Sequence, residues 1–425
     1  MDRKQAPETR IQTDIPIIQP EEMVLDNGLK VYLLEGGHEE IVKVEVVFLA
    51  GSFYQSSPLV AFATANLLRA GTHARTSSEI NNLFDYYGTY FHSDAQKDLA
   101  SFSVFVLQKH LEPVLELYAD MIRNPVFPAD ELELFMKNQK QQYLINTQRV
   151  HYVARTYFNE LLFGQQHPYG ARVEVADFDS VERSDLLAFH QDYIHPANAF
   201  CIVSGRLPAN IRDLLHSWLG KTEWSHRSGQ VAPSYLVESA SEKKVMVQRP
   251  GVVQSAIRIG RRLFNRCHPD YHRLMITNAL LGGYFGSRLM QNIRQNKGYT
   301  YGIGSSVVSL LRDGYFFISS EVGVDVCQKA IDEVYRELKS LRTIPATGAE
   351  LNAMKAYLSG DYLRSFDGPF AQSQRYKELL AFRLDASHFE GFLKELKTIT
   401  AQQIMQTAEK YLHEDSMMEL VVGRK

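Results

Sequence analysis

The most constraining feature of this sequence is a segment that occurs twice. Residues 179–207 read DSVERSDLLAFHQDYIHPANAFCIVSGRL, and residues 397–425 read KTITAQQIMQTAEKYLHEDSMMELVVGRK. Tyr193 matches Tyr411 at an offset of 218 residues (411 − 193), and the His two residues later and the final Gly-Arg keep that offset without a gap. An ungapped match of this length indicates internal duplication. Because only two copies fit, the sequence predicts two similar domains and not a solenoid.

The chain length agrees with two domains. A chain of 425 residues is too long for one hydrophobic core. Between the two copies, KTEWSHRSGQVAPSYLVESASE (221–242) is polar and contains Gly and Pro, as a linker does. We therefore predict an N-terminal domain over 1–220, a linker over 221–242 and a homologous C-terminal domain over 243–425.

Each copy has the same order of predicted elements. In the first copy, GLKVYLLEGG (28–37) and VKVEVVFLAG (42–51) alternate like the strands of a hairpin. The first copy also has predicted helices over 58–70, 109–123 and 127–150 and predicted strands near 88–95 and 100–107. The second copy has predicted strands over 244–248, 254–261, 300–308 and 313–322 and predicted helices over 270–281 and 286–295. Strands and helices are grouped, which predicts an α+β fold with mostly antiparallel sheets and helices packed on them.

Composition excludes several classes of function. The formal net charge is −3 with no basic stripe, which argues against nucleic acid, and no polybasic cluster predicts a membrane surface. No apolar run reaches the roughly 18 residues that a membrane span needs. Three scattered cysteines and the absence of a signal-like N-terminus predict a cytoplasmic protein. A periplasmic location is the alternative if a signal peptide has been removed.

One cluster imitates a metal site. His268 and His272 lie four residues apart with Cys267 beside them. Pro269 lies between them and the helix is predicted to begin near Asp270, so the two imidazoles need not share a face. A helix N-terminus capped by the Asp is the favoured interpretation.

The order of motifs resembles the pitrilysin/insulinase peptidases, the inverzincins, which include mitochondrial processing peptidase and bacterial two-subunit enzymes. The motifs are NGLKVY (27–32), LLxxGT (67–72), NPVFP (124–128), HPYG (167–170) and GSRLxxxIRxxKGxxY (286–301). The last is the most specific, since it keeps residue types and spacing over a long stretch. The resemblance covers nearly the whole chain and implies a clam-like half-chamber built from two homologous domains.

The resemblance implies a zinc site that this chain has lost. Active members carry His-x-x-Glu-His on the first helix, where two His bind zinc and the Glu is the general base. Aligning the following Gly-Thr places Phe62 and Asn66 at the His positions and Ala65 at the Glu position. The Glu-x6-Glu pattern of the long helix, which gives the third ligand, falls on Phe135 and Gln142. We therefore expect no metal in this chain, and zinc only in a partner.

The C-terminal half keeps a pair that the resemblance links to catalysis. Arg294 and Tyr301 match the family's Arg and Tyr, which contact substrate carbonyls and stabilise the oxyanion. The alternative is a salt-bridged surface Arg and a core Tyr at the start of a strand. In active relatives a strand also accepts the substrate as an added strand; GTYFHSDAQKDLASFSVFV (88–106) corresponds, with Gly88 retained and His92 an unusual residue in it.

These features lead to three hypotheses. The first is the non-metal subunit of a heterodimeric zinc metallopeptidase, inactive alone, in which a homologous partner supplies zinc and the base, Arg294 and Tyr301 contact the substrate, and the substrate is an unfolded peptide. The second is a catalytically inert structural or peptide-binding subunit of the same fold. The least favoured is a peptidase with a metal site relocated to His268 and His272.

Overall fold

Alternating and fully apolar segments form two separate β-sheets. The computed structural model describes residues 15–222, 224 and 234–425, and in them the sheets have six and five strands. The first sheet contains β1 (Glu21–Val24), β2 (Lys30–Glu35), β3 (Ile41–Phe48), β4 (Tyr90–Ala95), β5 (Ala100–Leu107) and β6 (Ala199–Gly205), in the order β1-β2-β6-β3-β5-β4. The second contains β7 (Lys244–Gln248), β8 (Gln254–Leu263), β9 (Thr300–Ser309), β10 (Gly314–Gly323) and β11 (Met418–Gly423), in the order β7-β11-β8-β10-β9.

Helices cover both sheets, so the predicted α+β class is confirmed. The helices of the first half are α1 (Val60–Leu67), α2 (Ser77–Tyr86), α3 (Leu111–Arg123), α4 (Ala129–Asn146), α5 (Val150–Phe163), α6 (Asp177–Ser180), α7 (Arg183–Tyr193) and α8 (Ile211–Leu219). Those of the second half are α9 (Tyr271–Asn278), α10 (Cys327–Thr343), α11 (Gly348–Arg364), α12 (Gly368–Ala381), α13 (Ser387–Thr398) and α14 (Ala401–Tyr411). In the described part of the chain, none of these helices combines the length and apolarity that crossing a bilayer requires.

The predicted hairpin of the first two long strands is wrong. β6 lies between β2 and β3, parallel to β2 and antiparallel to β3. In the second sheet β11 lies between β7 and β8 in the same way. The inserted strands AFCIVSG and MELVVG are largely buried, and such a strand is stable in the middle of a sheet. Each sheet is therefore mixed, with one parallel pair among antiparallel ones.

The duplication is visible in the element boundaries. The bounds of α7 and α14 differ by the predicted 218 residues at both ends (401 − 183 and 411 − 193). The same difference relates α5 to α12 (368 − 150 and 381 − 163). These last two helices are exchanged between the halves, because α5 packs on β8 and β11 of the second sheet while α12 packs on β6 and β2 of the first. Each sheet thus depends on a helix from the other half.

The linker prediction falls partly outside the described residues, which exclude 223 and 225–233. Its described end runs beside α5, where Glu238 N donates to Phe163 O at 3.3 Å and Ala240 N donates to Leu161 O at 2.9 Å. The domain limits and the clam-like half-chamber stay predictions.

A buried ionic group fixes α12 to the first sheet. Glu45 on β3 is 3% exposed and accepts from Lys43 Nζ at 2.6 Å and from Lys377 Nζ of α12 at 2.8 Å. Burial acts to raise the pKa of the Glu45 carboxyl, but the two ammonium groups outweigh it and the pKa lies below its usual range. The ionised carboxylate therefore stabilises the fold at neutral pH. This stabilisation is lost as the pH falls from the ordinary glutamate pKa through the lower folded-state value.

Replacing Lys377 by Met is expected to lower the free energy of unfolding by about 1–3 kcal/mol at neutral pH, because a buried carboxylate loses one of its two cationic donors. The difference in free energy of unfolding between the unaltered chain and Lys377→Met should shrink in acid, where Glu45 is protonated in both proteins. Chemical denaturation at both pH values measures this. Lys394→Met, at an exposed lysine of α13, is the control and should change little. Equal deficits at both pH values would contradict the assignment.

Candidate functional site

The helix α1 carries the three positions at which the family has its His-x-x-Glu-His motif. Ala65 is 1% exposed and packs in the core of the first half. Asn66 uses its side-chain amide within the helix, since Nδ2 donates to Phe62 O at 2.8 Å. None of the three side chains ionises, and α1 therefore presents an apolar and amide surface to α4.

The two phenyl rings predicted at ligand positions lie against each other. The ring centroids of Phe62 and Phe135 are 5.6 Å apart. Phe135 and Asn66 line a cavity of about 430 Å³ together with His92 of β4. Gln142 is two turns further along α4, exposed, with Nε2 donating to Asn146 Oδ1 at 3.3 Å. Phe62, Asn66 and Phe135 therefore lie close together, whereas Gln142 lies apart from them.

These residues do not fit zinc. A zinc site needs thiolate, imidazole or carboxylate ligands, and phenyl, methyl and carboxamide groups are poor substitutes. Within residues 15–222, 224 and 234–425, no three His, Cys, Asp or Glu side chains are grouped so that they could hold a metal ion. No catalytic step through a metal of this chain follows from such a site.

The His268 and His272 cluster is divided by its surroundings. The His268 ring stacks on Phe264 with centroids 3.7 Å apart, whereas the His272 ring faces His388 at 4.2 Å. Asp270 does stand at the start of α9, but its carboxylate accepts from Lys410 Nζ at 2.8 Å and makes no capping bond to the helix. The predicted Asp cap is wrong in that detail, because a lysine from α14 takes the carboxylate.

Arg294 lies in a segment that the sequence did not single out as irregular. Residues Met290–Asn296 form a π-helix, a conformation that is frequent at functional sites. The guanidinium carbon of Arg294 lies 4.9 Å from the ring centroid of Phe285, which is 61% exposed. No described carboxylate forms an ion pair with Arg294. Sequence reasoning missed Phe285, and an aromatic residue in a Gly-rich turn was the available signal.

Tyr301 stands at the start of β9 with 92% of its surface exposed. The turn between it and Arg294 contains Gly298, whose φ of 65° favours glycine. The alternative of a salt-bridged Arg and a core Tyr therefore does not describe these side chains. Both are available for contact with another molecule.

The first sheet has an open edge beside the cavity of α1. β4 is the last strand in the order and pairs only with β5 among the described strands. His92 is exposed on β4 and lines that cavity. An edge strand offers backbone N–H and C=O groups to an added strand. This edge is therefore a candidate surface for an extended peptide.

Comparison with protein families identifies the fold and its lineage. Residues 30–164 match the model described as insulinase (peptidase family M16), and residues 180–358 match the model described as peptidase M16 inactive domain. The chain belongs to the M16 peptidase family. The chain contains two M16 domains, in agreement with the two similar domains that the duplication predicted.

The relatives of this chain include proteins described as zinc proteases and one described as a probable inactive metalloprotease. The uncharacterized zinc protease YmxG of Bacillus subtilis is 21% identical over 404 residues, covering 93% of this chain and 96% of the relative. The probable inactive metalloprotease YmfF of the same organism is 22% identical over 367 residues, covering 81% and 85%. This M16 homologue is therefore similar to both kinds.

Solved structures share the M16 fold over nearly the whole chain. The peptidase M16 inactive domain from Pseudomonas fluorescens superposes with a TM-score of 0.86 at 23% identity, covering 96% of this chain and 98% of that one. A protease from Helicobacter pylori gives a TM-score of 0.87 at 17% identity, covering 96% and 100%. At these identities the likeness establishes the fold alone.

Chelation is expected to leave the melting temperature of the isolated chain unchanged, and added zinc should not raise it, because α1 offers no ionisable ligand. Differential scanning fluorimetry with EDTA and with zinc measures this. Phe62→His combined with Asn66→His is the sensitivity control, since it puts two imidazoles four residues apart on one helix face. A zinc-dependent rise of several degrees in the unaltered chain would contradict the expectation.

Proposed function

We propose that this chain is the non-metal subunit of a two-chain M16 metallopeptidase. A homologous partner supplies zinc and the general base, and this chain supplies Arg294 and Tyr301. The observation that carries the proposal is a contrast between the halves. The metal positions are filled by the Phe62–Phe135 contact, whereas Tyr301 is exposed and the half-buried Arg294 forms no ion pair with a described carboxylate.

The first half supports the need for a partner. Peptide hydrolysis by this family's chemistry requires a metal-bound water and a carboxylate base. Phe62, Ala65 and Asn66 provide neither of them. Restoring ligands at these positions requires removing the aromatic contact with Phe135, so the loss is built into the packing of α1 on α4. The metal and the base therefore come from another chain.

The second half supports a role in turnover. A guanidinium presents several fixed donors and stays charged, and a phenol hydroxyl adds one more. Such donors stabilise the negative oxygen that develops when a peptide carbonyl is attacked. The ring of Phe285 lies 4.9 Å from the Arg294 guanidinium and restricts its orientation without neutralising it. The exposed Tyr301 and the partly exposed Arg294 can then both reach a substrate held by the partner.

The open edge of β4 supports binding of an unfolded peptide. An extended peptide paired with β4 lies next to the cavity lined by Asn66, His92 and Phe135. Backbone pairing holds a peptide without selecting its side chains. The substrate class is accordingly an unfolded or extended peptide.

A second candidate is a catalytically inert structural or peptide-binding subunit. The β4 edge and its cavity favour it, since both serve binding without Arg294 or Tyr301. In this case the partner's activity is independent of these two side chains.

The test mixes the purified chain with the M16 chain of the same organism that carries His-x-x-Glu-His. A fluorogenic unstructured peptide reports hydrolysis. Neither this chain nor Arg294→Ala should cleave alone, and the mixture should exceed the partner alone. In the mixture, Arg294→Ala is expected to lower kcat/KM by about 10²-fold and Tyr301→Phe by about tenfold, because each removes a donor to the oxyanion.

Two control variants keep Arg294 and Tyr301 and instead remove a positive charge and a phenol hydroxyl from other helices. Lys329→Ala on α10 and Tyr86→Phe on α2, both exposed, should leave kcat/KM unchanged. Zinc content of the partner and affinity between the chains are measured in parallel and should not vary. A partner that is equally fast alone, with no effect of Arg294→Ala, rejects the proposal. Stable pairing without a rate effect favours the inert subunit.

A further inference from the structure

A cavity between α4, α5 and residues 171–173 has an unusual concentration of positive charge. Its volume is about 370 Å³, and Lys97, Arg155, Arg172 and Arg249 all line it. Among the described residues that line it there is no Asp or Glu. The remaining polar wall consists of neutral tyrosine, threonine and asparagine side chains. Four cations from separate parts of the chain therefore face one small volume.

Most of this charge has no direct counter-ion. Arg172 pairs with Glu160 and lies 4.0 Å from the ring centroid of Tyr157. Arg155 and Arg249, in contrast, form no ion pair with any described carboxylate. Both are at least partly exposed, so an incoming anion has access to them. The described side chains that line the cavity therefore carry positive charge and no negative charge.

Two half-buried cationic groups at or beside the cavity have lowered pKa values. Burial lowers the pKa of Lys97 to about 8 although Asp98 opposes the shift, and its ammonium donates to Pro168 O at 2.9 Å. Burial, with repulsion from Arg155, lowers the pKa of Arg258 on the neighbouring strand β8 to about 10. An anion in the cavity would raise the pKa of both groups towards their ordinary values.

A neighbouring cavity reaches α1, at one of the positions where the family has a zinc ligand. A second cavity of about 390 Å³ shares Lys97 and Arg172 with the first and is also lined by Phe62 of α1. The two cavities share part of their walls and therefore lie side by side between Phe62 and the four cations. A molecule that extends from Phe62 through both cavities reaches the four cations with its far end.

We propose that the four cations bind a carboxylate of the peptide substrate, at its C-terminus or on an Asp or Glu side chain. Guanidinium groups match carboxylates in a bidentate geometry, and the volume suits one or two residues. Inorganic phosphate offers similar chemistry, but the path to Phe62 favours the end of an extended chain. The inference deepens the proposed function and rests on its peptide-binding part, because it names acidic peptides as the preferred class.

The test uses the isolated full-length chain and two fluorescein-labelled unstructured peptides. One has acidic residues at its C-terminal end and a free α-carboxylate; the other has Asn and Gln in their place and a C-terminal amide. Fluorescence anisotropy should show tighter binding of the acidic peptide. Arg155→Gln combined with Arg249→Gln is expected to weaken that binding about tenfold or more and to leave the neutral peptide unaffected.

The matched control is Lys329→Gln combined with Lys394→Gln, which removes the same charge from exposed sites elsewhere and should preserve the preference. Equal binding of the two peptides by the unaltered chain overturns the inference, even if the Arg variant fails to fold. Equal peptide binding together with stabilisation by inorganic phosphate, lost in the Arg variant, assigns the site to small anions and also overturns it. Binding is measured without a partner, so intact acidic-peptide binding without turnover rejects only the proposed function.

Discussion

The exchange of α5 and α12 between the two sheets is the contact on which the rest of the structure depends. Each helix covers a sheet that the other half of the chain builds. The buried carboxylate of Glu45 then ties α12 to the first sheet through Lys377. A buried charge is tolerated only with such partners, so the ionic contact specifies one mutual position of helix and sheet. The candidate surfaces of both halves are oriented by this exchange.

The proposed function separates two chemical tasks between two chains and assigns one of them to this chain. Polarising a water molecule needs charged ligands that face each other in a closed site, and the contact between Phe62 and Phe135 occupies that space with hydrocarbon. Stabilising an oxyanion needs preorganised donors that are not neutralised, the role we propose for Tyr301 and for Arg294, which forms no ion pair with a described carboxylate. The Phe62–Phe135 contact lies in the first half and Arg294 and Tyr301 lie in the second, so the first task can be absent without a change at the residues proposed for the second.

The sequence predicted the features that depend on local pattern or on exact repetition. The offset of 218 residues located α7 and α14, and alternation located the long strands of both sheets. It failed where distant segments meet: β6 enters between β2 and β3, which no neighbouring residue signals. The π-helix at Arg294 and its contact with Phe285 were missed for another reason, since helical periodicity does not distinguish a π-helix from an α-helix. The cavity around Lys97 and Arg249 gathers residues more than a hundred positions apart, so linear spacing could not reveal it.

The reciprocal helices also bear on how such a chain arose. A single copy of this unit would leave one face of its sheet bare, since the covering helix belongs to the other copy. Two identical copies would then have to associate with twofold symmetry, as in domain swapping. In this single chain, equivalent strand positions differ: Glu45, opposite Ile202, is a buried carboxylate, and Arg258, opposite Leu420, is a half-buried guanidinium. Such asymmetry is excluded for two identical copies, which carry the same residue at each equivalent position.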